Sequence, residues 1–193
     1  VLVTMAVIGV ISALTVPTLI NNYQRKAYTL QLRKVVRELS DAADMLMTEE
    51  GKPKFSATTG YNNLDDFVTQ RLKTLKTCSS SSTTGCFANE KYSSISGTVA
   101  DNTFSCGGNS YVLADSAAIC LYRTEGSQDV TVVVDTNGQE GPNVAGRDLF
   151  MFTLNGTTGD AALSGSSSDC QGSTTGTGCY DLLVNENNWN MNY

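Results

Sequence analysis

The sequence predicts an α+β fold: one long N-terminal helix packed on an antiparallel sheet of four or so strands, with disulfide-stapled loops around it. Three observations carry this. Residues 1–50 are apolar on all sides at first and on one side later, up to a stop at Gly51 and Pro53. Four short runs between 111 and 154 are rich in Val, Ile, Phe and Tyr and are separated by turn residues. Six cysteines, an even number, fall as three sequence neighbours.

The helix divides in two. Residues 1–20 carry no charge and are dominated by Val, Ile, Leu, Ala and Met, close to the roughly 20 residues that cross a bilayer core. Residues 1–24 are therefore expected to lie in a membrane or in a bundle of apolar helices. Over residues 25–50 the apolar positions Leu32, Val35, Val36, Leu39, Ala42, Ala43, Leu46 and Met47 form one stripe, which needs a sheet to cover it. One helix of about 50 residues would be roughly 75 Å long at about 1.5 Å per residue.

Residues 51–110 read as an irregular connection with a short helix from Leu64 to Leu75. The sheet follows over 111–154, as strands Tyr111 to Ala114, Ala117 to Arg123, Val130 to Val134 and Leu149 to Leu154. Their short connections predict an antiparallel meander. Residues 155–193 form a Gly, Ser and Thr-rich loop and a final strand from Tyr180 to Val184, packed by Trp189.

The absence of histidine removes Ser-His-Asp and Cys-His catalysis and His-ligated zinc. Cys78, Cys86, Cys106, Cys120, Cys170 and Cys179 lack the close Cys-x-x-Cys spacing of a metal knuckle or redox pair, which predicts three disulfides in an oxidising compartment. Six cysteines allow 15 pairings, of which pairing of neighbours is the simplest. Arg25, Lys26, Arg33, Lys34 and Arg37 are the charged residues of the first 37; the rest of the chain holds 8 basic against 19 acidic residues, about −11. An acidic body indicates no nucleic-acid contact, which needs clustered cations. The basic patch is either a solvated helix face or a partner for acidic surfaces of neighbouring subunits.

VLVTMAVIGVISALTVPTLINNYQRK, the opening stretch, resembles the N-terminal segment of type IV pilins and of the pseudopilins of type II secretion. Members begin, after removal of a short basic leader, with Phe, Thr, Leu, any residue and Glu; an apolar segment follows, with a glycine midway and a proline near its end. Gly9 and Pro17 have the matching spacing if Val1 directly follows that glutamate, so the sequence is expected to begin five residues into the mature helix. YVLADSAAICLY and VVVDTNGQEGPNVAGRDLFMF are similar to parts of the globular heads. The resemblance covers residues 1–50, and more loosely 111–154.

This resemblance implies a type IV pilin fold and an N-methylated structural subunit that is not an enzyme. The subunit would wait in the inner membrane, be cut by a prepilin peptidase, and be polymerised by pilus assembly machinery with identical subunits into an extracellular helical filament. It also implies unwinding of the helix between Gly9 and Pro17 in the filament, since Pro17 has no N–H for the i−4 bond. A pseudopilin forming a short periplasmic piston is the alternative; a membrane-anchored periplasmic binding module or enzyme is a third reading, weakened by the missing histidine.

One loop suggests a ligand. In DTNGQEGPNVAGRD, residues 135–148, Asp135, Asn137, Glu140 and Asp148 are oxygen donors on a glycine-containing loop, the chemistry calcium prefers. The spacing is not that of an EF-hand. Turn formation is the other reading of the same residues, with Asn137 and Gly138 tolerating positive φ. Asn155, Gly156 and Thr157 match the N-glycosylation triplet, a frequent chance pattern.

Overall fold

The computed structural model describes residues 19–193 in full, together with Met5, Ala13 and Thr15. The expected unwinding site at Gly9 and Pro17 lies outside the described residues. Helix α1 (Leu2–Glu50) buries Leu32, Val35, Leu39, Ala42, Ala43 and Leu46, with Val36 and Met47 partly covered. That is the predicted stripe, and each buried Leu or Val stabilises by about 1.5–3 kcal/mol. Gly51, at φ 60°, ends the helix: its N–H reaches the Thr48 carbonyl (3.2 Å) and the Lys52 N–H reaches that of Met47 (2.9 Å). This pair of bonds satisfies carbonyls that the last turn would otherwise leave open.

Short helices α2 (Thr59–Asn62) and α3 (Leu64–Arg71) follow, α3 starting at Asn63, whose side chain accepts the Asp66 N–H. The expected Leu64 to Leu75 helix stops four residues early because Thr74–Cys78 extends into strand β1. Next come β2 (Ser110–Leu113), β3 (Ala118–Arg123), β4 (Val130–Asp135), β5 (Leu149–Leu154) and the two-residue β6 (Ala161–Ala162). The sheet is an antiparallel meander in chain order. Its six strands are the four expected plus one at each edge. β1 is largely exposed and irregular in register between Thr74 and Lys76.

β3 and β4 are buried along most of their length, which requires cover on both faces. α1 provides part of it. The rest comes from the connecting segments, where Phe87 meets Phe104 at 4.4 Å and Tyr180 meets Phe152 of β5 at 5.1 Å. These segments are fastened by disulfides Cys78–Cys86, Cys106–Cys120 and Cys170–Cys179, the neighbour pairing.

The C-terminal region departs from expectation. Tyr180 to Val184 is not a strand: Cys179–Asp181 forms helix α4, continued by a wider helical turn at Leu182–Glu186. Four apolar residues among five, broken by Asp181, do not distinguish strand from helix. Here Gly178 at φ 73°, next to the Cys170–Cys179 bond, turns the chain into the helical start. Trp189 packs edge-on to Tyr180 (5.8 Å) and beneath the Arg33 guanidinium (4.9 Å), so it fastens the C-terminal segment to α1.

Candidate functional site

Two regions combine residue types with chemical meaning: the lower part of α1 and the 135–148 loop. On α1, every described residue before Arg25 is exposed, including Met5 (66 %), Leu19 (71 %), Ile20 (50 %) and Tyr23 (74 %). Among the described residues the first buried one is Thr29. Apolar side chains on a helix that its own chain leaves bare need lipid or another helix. Among the described residues no helix is long and apolar enough to cross a membrane; most of the apolar run lies outside them.

From Arg25 onward the head holds the helix through polar contacts. Arg25 Nη1 donates to the Met191 carbonyl (3.3 Å), and Tyr28 Oη to that of Gly141 (3.5 Å). Gln31 Nε2 donates to the Asp115 carbonyl (2.9 Å), and Lys34 Nζ to the Asp115 carboxylate (2.9 Å). The Asp115 carboxylate raises the Lys34 pKa. Ser40 Oγ accepts the Ala161 N–H of edge strand β6 (3.2 Å). The basic patch is thus partly used within the chain. Lys34 also approaches Glu38 (3.6 Å) and Arg37 approaches Asp41 (3.5 Å), whereas Arg25, Lys26 and Arg33 have no carboxylate in ion-pair range among the described residues.

The 135–148 loop joins β4 to β5 and folds over two fully buried carboxylates. Asp135 Oδ1 accepts the Asn137 N–H (3.1 Å), and Oδ2 accepts a short bond from the Tyr92 hydroxyl. Asp148 takes two backbone bonds, Oδ2 from Asn143 N–H (2.7 Å) and Oδ1 from Val144 N–H (2.8 Å). Asn143 holds φ 56°, a left-handed turn that aims its N–H inward, and Gly146 lies at φ 83° against the Cys170–Cys179 disulfide, where a Cβ would stand 2.9 Å from Cys170 Sγ. Burial, and then the Asp148 charge, push the Asp135 carboxyl well above its ordinary range. Burial pushes Asp148 up to about 6, while the N–H groups of Val144 and Asn143 pull the other way.

Of the four donors expected for calcium, Asp135 and Asp148 are brought into one buried region. Asn137 donates its amide nitrogen to the carbonyls of Glu140 and Gly141 (both 2.8 Å), while its Oδ1 is buried without a hydrogen-bond partner; Glu140 is exposed. Calcium wants about 6–8 oxygens converging on one point. Here the two carboxylates are turned onto N–H and O–H donors of the fold, and among the described residues no three acidic or cysteine side chains cluster as metal ligands. In this arrangement the two carboxylates organise the loop. The Tyr92 partner lies 43 residues from Asp135, too far for any local sequence signal.

Comparison of the chain with protein families, with curated proteins and with solved structures finds no match.

Proposed function

We propose that this chain is a structural subunit of a type IV pilus, a pilin that polymerises through its N-terminal helix into an extracellular filament. One observation carries the reading: a helix whose second half is sealed into a disulfide-stapled head, while Leu19, Ile20, Tyr23 and the other described residues before Arg25 are exposed. In the monomer this half rests in the inner membrane. In the filament it packs against the same segment of neighbouring subunits, so it passes from one dry environment to another without lasting exposure to water. The opening sequence, with Gly9 and Pro17 at pilin spacing, supports the same assignment. Prepilin peptidase and the assembly machinery are the implied partners.

Leu19→Asp tests this in the cells that make the protein. The side chain is exposed in the monomer, so the head folds and oxidises normally, and the yield of sheared surface filaments falls at least tenfold. Undiminished filaments containing the variant would overturn the proposal. Wild-type chain retained in short periplasmic assemblies, and absent from sheared material, would instead identify a pseudopilin of type II secretion.

A further inference from the structure

Arg147 stands in the 135–148 loop, where it is the one cation among the buried side-chain atoms without a hydrogen-bond partner, the others of that loop being Thr136 Oγ1, Asn137 Oδ1 and Asn143 Oδ1. Its guanidinium has neither ion pair nor hydrogen-bond acceptor among the described residues, and Nη1 is closed off from solvent. Its near neighbours are the Tyr193 ring, 5.3 Å away, and the like-charged Arg25. Burial, and then the Arg25 charge, lower the Arg147 pKa. A guanidinium stays protonated under such stress, so a counter-charge is missing. Beside it opens a cleft of about 290 Å³ lined by Asn21, Gln24, Arg25, Tyr28, Pro142 and Arg147, among others. No carboxylate lines it; its amides and guanidinium groups carry N–H donors, of which Arg25 Nη1 already serves the Met191 carbonyl, as the Tyr28 hydroxyl serves that of Gly141.

We propose that this cleft is an oxyanion site, in which Arg25 and Arg147 grip a phosphate group between them. Donors arriving from α1 on one side and the 142–147 loop on the other match the several oxygens of a phosphate better than the two of a carboxylate. Two sources supply that chemistry: free phosphate, or the headgroup of an anionic lipid. The second follows from position, because Asn21 and Gln24 come directly after the apolar run, which places the cleft at headgroup level when that run is in a bilayer. The lipid source rests on the membrane-resident state proposed above; the free-phosphate source does not.

The test uses the full chain in non-ionic detergent, titrated with inorganic phosphate against chloride at matched ionic strength and followed by thermal unfolding. The companion measurement is native mass spectrometry after incubation with phosphatidylglycerol or phosphatidylcholine. Saturable stabilisation by phosphate identifies the free anion; selective retention of phosphatidylglycerol identifies the headgroup. In either case Arg147→Met and Arg25→Gln each weaken binding about tenfold or more, the loss expected for a charge-assisted bond. Without phosphate, Arg147→Met also melts no lower than wild type, because it removes a half-buried cation whose Nη1 has no partner. Arg25→Gln, at a partly exposed position, decides the matter should Arg147→Met not fold. Equal affinity of wild type and Arg25→Gln for both probes, or binding to neither, overturns the site. Filament formation is not read in these measurements, so that failure leaves the assembly proposal standing.

Discussion

Asp135 and Asp148 make stability depend on pH in a direction opposite to that of ordinary surface carboxylates. Asp148 is raised from 3.8 to about 6, and Asp135 lies well above 3.8. The folded chain therefore binds protons between roughly pH 4 and 6 that the unfolded chain has released, and stability falls as pH rises through the folded-state value. For Asp148 alone, lowering the pH from 7.5 to 5 raises the unfolding free energy by about 1.5 kcal/mol, out of about 3 kcal/mol for the whole shift. Asp135 adds to this in the same direction. No histidine titrates in the window, and Glu49 and Glu50, whose pKa values are lowered by hydrogen bonds from Arg71 and Thr59 respectively, act below 4.5. The perturbation is Asp135→Asn. The amide oxygen can still accept the Asn137 N–H, and its nitrogen can donate to the Tyr92 oxygen. Urea unfolding with disulfides intact should find this variant at least as stable as wild type at pH 7.5 and more stable at pH 9, with only the Asp148 share of the acid-side gain left. Wild-type stability that is flat or falling from pH 7.5 to 5 would refute the reasoning, as would a variant weaker by more than about 1 kcal/mol across pH 7.5–9.

Three further outcomes follow from packing and covalent structure. Leu39→Ala empties a fully buried position of the α1 stripe and should cost about 3 kcal/mol in urea unfolding, with the α-helical circular dichroism retained. The double change Cys106→Ser and Cys120→Ser opens a loop with sequence separation 14, which predicts a loss of about 3 kcal/mol and a midpoint no longer sensitive to reductant at that bond. Lys34→Ala removes the ion pair to Asp115, but with the lysine side chain half exposed the loss should stay below about 1 kcal/mol and shrink further in high salt.

How much was readable beforehand depends on the range of the interaction involved. The α1 stripe was legible because six of its eight predicted positions are buried by a single periodic pattern, and Gly51 stops the helix through its own backbone freedom. The four central strands were legible because burial on both faces leaves nearly continuous runs of apolar residues. β1 was not, since Thr74–Cys78 holds a lysine and two threonines and becomes a strand through its pairing with β2. The same limit applied in the loop. Asp135 and Asp148 stood out in sequence as paired oxygen donors, yet their roles are decided by Tyr92 and by the backbone of Asn143 and Val144. Arg25 and Arg147 are 122 positions apart in the chain and face one cleft only because the head docks on the helix.

The irregular register of β1 and the two-residue length of β6 decide how readily the sheet could add strands from a second copy. An open row of N–H and C=O groups on a flat outer strand recruits further strands, and in a dense array that reaction would compete with ordered assembly. Here one border of the sheet is kinked between Thr74 and Lys76, carries a lysine and ends in a cross-link at Cys78, while the other offers only Ala161 and Ala162. Neither border is a good template. Strand addition is thus discouraged at both margins, which would leave the growth of the proposed filament to the helix.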